Sequence, residues 1–188
     1  MFNKLRRKMR SNERGFTLIE IAIVMVIVGL LIGGILKGQA MVKNAKIKRY
    51  HQDLDGIRAA WYAYFDRYGY YPGDDPRAST HFTGAPNGNG NGRIDGSERP
   101  YVFRHLRYAK LLSGNPTVTA YPPNPYGGQY RVTYNPYNVG ANGIVAYNIP
   151  GDVARVIDEK YDDGNFNQGD IRASANYNNA RVNQACQI

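Results

Sequence analysis

Only one cysteine, Cys186, and three histidines occur in 188 residues. A lone thiol closes no intrachain disulfide, so nothing of that kind staples the C-terminal region, and Cys186 reads as a free thiol near a frayed end. His51, His81 and His105 stand at no metal-ligand spacing, and neither they nor Cys186 has the partners that nucleophilic or acid–base catalysis requires. No enzymatic activity is therefore expected. Acids are scarce too, 15 against 24 lysines and arginines, for a net charge of +9. Tryptophan is reduced to Trp61 while tyrosine reaches 16, which suits β-rich cores and interfaces better than a charge-carrying path of rings. Long apolar runs are absent, with one exception.

That run extends from Phe16 to Leu36, with Thr17 and Glu20 as its only polar side chains. At about 1.5 Å per residue it covers roughly 30 Å, the thickness of a bilayer core, and so predicts a membrane-spanning helix. Ahead of it, residues 1–15 carry six basic residues and one acid, which holds the N-terminus in the cytoplasm and sends the rest outward. The leader accounts for +5 of the net charge and leaves +4, so the basic balance is mostly a topology signal. A secretory signal would place small residues after its apolar stretch, whereas Gly15 stands before this one. Glu20 is the exceptional residue. A charge inside a bilayer costs roughly 3 kcal/mol even on lenient scales, so such an acid needs a partner, and none is evident within the run.

A basic leader, then Gly15-Phe16-Thr17-Leu18-Ile19-Glu20, then an apolar helix resembles the type IV pilin-like superfamily: type IV pilins, type II secretion pseudopilins and competence pseudopilins. The resemblance implies cleavage after Gly15 by the prepilin peptidase and N-methylation of the new terminus, Phe16. It also implies that Glu20 meets the terminal ammonium of a neighbouring subunit during assembly. Partners on this reading are copies of the chain and other pilin-like subunits, the inner membrane, and a pilus or secretion assembly platform. Other readings remain open: a minor tip, adhesive or DNA-uptake subunit, or a membrane-anchored calcium-binding protein that never polymerises. Nucleic acid is not expected as a partner, because no binding motif or basic–aromatic stripe is present.

Beyond the span, Ile47, Tyr50, Leu54, Ile57, Trp61, Tyr64, Phe65 and Tyr68 recur at helical spacing, so the helix continues to about residue 71 and lays this stripe on a globular domain. Gly69 to Pro72 should end it. Residues 72–188 turn to Gly, Asn, Asp, Pro and Tyr and make one small extracellular domain. Ser97 is expected to cap a helix reaching about Leu112, and Asp152 another to about Lys160. Gln129–Thr133 and Ile144–Ile149 read as strands of a small antiparallel sheet. The tail after Ala173 is polar and reads as partly flexible. The expected class is α+β, a long N-terminal helix packed on a small antiparallel sheet with extra short helices.

Residues 87–98 read Asn-Gly-Asn-Gly-Asn-Gly-Arg-Ile-Asp-Gly-Ser-Glu. Laid on an EF-hand loop, Asn87, Asn89, Asn91, Asp95 and Glu98 take the first, third, fifth, ninth and last ligand places, Arg93 offers its carbonyl at the seventh, and Gly92 takes the sharp turn. Ca²⁺ needs about six to eight hard oxygens, and this spacing would wrap them round one ion. With only Asp95 and Glu98 anionic, the affinity would suit a calcium-rich exterior, and the ion would replace the missing disulfide as a staple. A second acidic stretch, Asp158 to Asp170, lacks that spacing and reads as a solvated turn, with a second ion left open.

Overall fold

A computed structural model describes residues 15–188. The expected leader, apart from Gly15, lies outside the described residues. The fold is α+β and falls into two compact units, one reaching to Lys43 and the other running from Asn44 to Ile188. Helix α1, Leu18–Tyr68, supplies residues to both.

In the first unit the apolar side chains between Phe16 and Leu36 are exposed all round the helix, and none of the described residues covers them. A helix apolar on every side belongs in lipid or among other helices. Among the described residues, α1 is the one helix long and apolar enough to cross a membrane.

In the second unit α1 becomes one-sided. Tyr50, Leu54, Ile57, Ala60, Trp61 and Tyr64 are buried, and Ile47 and Tyr68 pack half-buried at the edges of the same core. Phe65, expected in this stripe, is 38% exposed. It sits about 100° round the helix from Tyr64, past the edge of the buried face, and stacks on Tyr71 with ring centres 4.9 Å apart. Gly69 then takes φ +73 and donates its N–H to the Phe65 carbonyl, ending the helix where the glycine predicts.

Two short helices follow, α2 at Ala78–His81 and α3 at Arg99–Tyr108. The sheet is built from β1 (Tyr130–Tyr134), β2 (Asn142–Pro150), β3 (Ile171–Ala173) and β4 (Arg181–Gln187), in the order β1-β2-β4-β3 with every pair antiparallel. Helix α4, Gly151–Tyr161, connects β2 towards β3. Val132, Ile144, Cys186 and Ile171 lie opposite one another across all four strands, and all are buried. This row is part of the core that the sheet forms with α1, together with Tyr130, Ala146, Ile149, Ala173 and Val182.

Four local expectations need correcting. The polar tail is not loose: β4 is an inner strand paired with β2 and β3, and buried Gln184 is met at both ends of its amide, accepting from the Tyr50 hydroxyl at 3.1 Å and donating to the Ala154 carbonyl at 2.8 Å. Cys186 is consequently buried within that strand. Ser97 does not cap α3, whose N-cap position is Glu98, and the helix stops at Tyr108 because Lys110 turns left-handed (φ +57) and the Leu111 N–H closes on the Leu106 carbonyl. Asp152 lies in the first turn of α4, one residue inside the start it was expected to cap, with Pro150 at the N-cap position.

Candidate functional site

Two places hold the residues singled out by the sequence. The first is the start of α1. Gly15, Phe16 and Thr17 are non-helical, and all three are exposed. A side chain on Gly15 would meet nothing within 4 Å, so packing within the chain makes no demand for glycine there. Thr17 is the residue before the helix, and the Glu20 N–H donates to its hydroxyl oxygen at 3.3 Å. In return the Glu20 carboxylate accepts from the Thr17 N–H and the Thr17 hydroxyl, each at 2.8 Å. This is a capping box, Thr-x-x-Glu, in which side chain and backbone satisfy each other reciprocally. The expectation that Glu20 finds no partner within the run is therefore wrong. The signal was present as Thr17 three residues before Glu20.

The geometry is that of a short exposed peptide leading into a capped apolar helix. A family model described as the prokaryotic N-terminal methylation motif matches residues 10–36. The chain thus carries the prepilin-type motif. That motif is the hallmark of type IV pilin-like precursors, and it implies processing by prepilin peptidase and assembly with other pilin subunits. No curated protein and no solved structure matches the chain. Within the motif, the matched span ends at the last residue of the expected membrane segment, Leu36.

The second place is the loop of residues 87–98, which packs against Asp74. Buried Asp74 accepts the Gly90 and Asn91 N–H groups on Oδ1, at 2.7 and 3.0 Å, and the Gly92 N–H on Oδ2 at 2.7 Å. Glu98, also buried, accepts from the Asn89 N–H on one oxygen and the Asp95 N–H on the other. Asn89 and Asn91 each accept from the N–H two residues on, and both direct their amide nitrogens at Asp95 Oδ2, at 3.3 and 3.0 Å. Ile94 is fully buried as the apolar member, and its carbonyl accepts from the Tyr134 N–H.

Asn89, Asn91, Asp95 and Glu98 are therefore gathered, but Asn87 is not. Its side-chain oxygen caps the Ser79 N–H in α2 instead. The Arg93 guanidinium lies over the Tyr134 ring, 4.6 Å from its centre. Sequence reasoning missed Asp74, whose carboxylate holds the loop through the N–H groups of residues 90–92. The donor set suits a hard cation in kind, with carboxylate and amide oxygens on one turn, while its carboxylate oxygens already accept loop N–H groups. The two Glu98 oxygens hold one such bond each and keep a second lone pair, whereas Asp74 Oδ1 and Asp95 Oδ2 each already accept two.

Proposed function

We propose that this chain is a structural subunit of a filament of the type IV pilus or type II secretion pseudopilus kind. On this reading prepilin peptidase cuts between Gly15 and Phe16, Phe16 is N-methylated, and residues 16–36 hold the subunit in the inner membrane with its N-terminus cytoplasmic until it joins the filament. The domain of residues 72–188 then lies in the periplasm or outside the cell. The observation that carries the proposal is the methylation motif joined to an apolar run, residues 16–36, whose only acid, Glu20, sits in the first turn of α1. Cutting at Gly15 would create an ammonium at Phe16, and in a low-dielectric bundle of helices that cation on one subunit and Glu20 on the next would offset each other's burial.

The capping box makes the test sharper. Glu20→Gln keeps a side chain able to cap Thr17 and removes only the charge, whereas Glu20→Ala removes both. Both variants should insert and be processed after Gly15, while pelletable filaments disappear for both. Filaments from Glu20→Gln at parental yield would leave Glu20 a helix cap only. Absence of pelletable filaments from the parent itself would favour a membrane-anchored protein that does not polymerise.

We also propose that the loop of residues 87–98 takes Ca²⁺, using Asn89, Asn91, Asp95 and Glu98. The support is the convergence of these side chains on one turn. An ion bound to the folded loop and not to the unfolded chain raises the melting temperature by mass action. Asp95→Ala should remove most of a millimolar-Ca²⁺ shift measured by scanning calorimetry on the full chain in detergent, and an equal shift in that variant would leave the loop a hydrogen-bonded turn.

A further inference from the structure

Next to the buried row of the sheet, Arg131, Val145, Ala185 and Arg172 oppose one another across the same four strands, and strand alternation turns them to the face away from the core. Val145 and Ala185 are buried even so, because the segment after β1 lies over this face. In that segment Tyr137 stands at φ +48, a conformation costly for an aromatic residue, and its hydroxyl hydrogen-bonds Asn183 and Ser174. Arg172 holds the segment in place by donating to the Asn138 carbonyl at 2.6 Å. Strain of this kind persists only where the surroundings fix it, and it clusters at binding sites.

Beside this segment the sheet is bulged. Ala146 of β2 stands opposite Gln184 of β4 and Ile149 opposite Val182, which leaves Tyr147 and Asn148 against Asn183 alone and breaks the ladder there. Where the strands part, a groove of about 230 Å³ opens, lined by Tyr147, Asn148, Ser174, Arg181, Val182 and Asn183. Backbone bonds set its polar walls: the Asn148 N–H donates to Asn183 Oδ1 at 3.1 Å, and the Asn183 N–H to the Ser174 hydroxyl oxygen at 3.0 Å. Exposed Arg181 donates from Nη1 to the carbonyls of Asn148 and Tyr126, at 2.8 and 3.3 Å. The Arg131 guanidinium lies over both the Tyr147 and the Tyr121 rings, 4.9 and 4.7 Å from their centres. These partners are neutral, so they fix the two guanidinium groups without cancelling their charge. Four of the chain's acids, Asp74, Asp75, Glu98 and Asp158, are meanwhile buried.

We propose that the groove at the β2–β4 bulge binds a uronic-acid unit of an acidic polysaccharide. The carboxylate meets Arg181 along the edge of Nε and Nη2, whose planar fork matches two oxygens, and Arg131 on the Tyr147 ring adds charge. A sugar ring carries closely spaced hydroxyls that both donate and accept, and Asn148, Asn183 and Ser174 offer both kinds of partner. Tyr147 supplies an apolar wall for the C–H groups of the sugar. The groove is smaller than the roughly 300–1,000 Å³ of sites that enclose drug-sized ligands, so it holds one unit and leaves the rest of the polymer outside. Single-stranded nucleic acid fits less well, because successive bases stack on open rings and Arg131 already covers those of Tyr121 and Tyr147. The inference depends neither on filament assembly nor on the loop of residues 87–98.

Calorimetric titration of the full chain with sodium oligogalacturonate tests it, in chelator and in a polyoxyethylene detergent, which presents no sugar of its own. The parent should bind, and Arg181→Gln should weaken binding by about tenfold or more through loss of a charged two-point contact. Arg155→Gln removes the same charge from an exposed position on α4, where the guanidinium bonds Asn178, and should leave binding unchanged. Should Arg181→Gln fail to fold, Tyr147→Leu decides in its place and should weaken binding severalfold. The inference is overturned if the folded variant binds like the parent, or if Arg155→Gln loses as much as Arg181→Gln. Equal binding of neutral dextran, tighter binding of oligothymidylate, or no binding of oligogalacturonate at millimolar concentration would overturn it too.

Discussion

Asp74, Asp158 and His105 are buried polar groups with very different partners. Asp74 is surrounded by N–H donors, Asp158 has one oxygen that meets none, and His105 has both ring nitrogens committed. The Gly73 N–H donates to His105 Nδ1 at 2.9 Å, and Nε2 lies 2.8 Å from the Pro86 carbonyl, an arrangement satisfied by the neutral ring with its proton on Nε2. Protonating Nδ1 would set two donors against each other. Burial lowers the His105 pKa from its ordinary 6.5, with the Pro86 carbonyl and the charge of Asp75 opposing the shift. A depressed value means that the folded chain binds fewer protons than the unfolded one. The stability this group contributes is thus complete above 6.5 and is lost as the pH falls below it. Melting curves between neutral and mildly acid pH should show that decline, and His105→Gln should flatten it. An identical pH dependence in the variant would assign the decline to other groups.

At the scale of elements, legibility followed how much of each pattern was local. Tyr50, Leu54, Ile57, Trp61 and Tyr64 announce α1 because helix periodicity needs no distant partner, and Gly69 marks its end for the same reason. β1 and β2 were legible within a residue or two from their β-branched and aromatic content. β4 was not. In Arg181–Gln187 the inward positions include Gln184, which is tolerable in a core only because Tyr50 and Ala154 meet its amide across the fold. No window of sequence shows that meeting. Asp74 escaped notice similarly, since it stands 16 to 18 residues from the N–H groups it binds. The capping box at Thr17 was a different failure. Both residues stand within four positions of each other, but a charge in lipid and a helix cap give Glu20 the same sequence signature.

At the scale of the whole molecule, one unit has a core, while in the other the described residues from Phe16 to Leu36 present an apolar surface. The first needs lipid or sister helices, while the second carries its own packing and can face water for as long as its chemistry lasts. That duration depends on residues 87–92, three Asn-Gly pairs in succession, the dipeptide most prone to age. In ageing, the glycine nitrogen attacks the asparagine side-chain carbonyl and expels ammonia, and water then opens the cyclic imide to aspartate or isoaspartate. Here each attacking nitrogen is occupied. The Gly88 N–H is bound to the Asp75 carbonyl at 2.8 Å, Gly90 to the carbonyl and carboxylate of Asp74, and Gly92 to that carboxylate alone. A carboxylate beside an amide proton also disfavours its removal, so Asp74 acts as a preservative for the loop. Prolonged incubation at mildly alkaline pH, followed by peptide mass spectrometry, should find the parent's amides intact and those of Asp74→Ala converting at Asn91 first. Should the folded parent lose ammonia as fast as a free peptide of the same sequence, the clamp confers no such longevity.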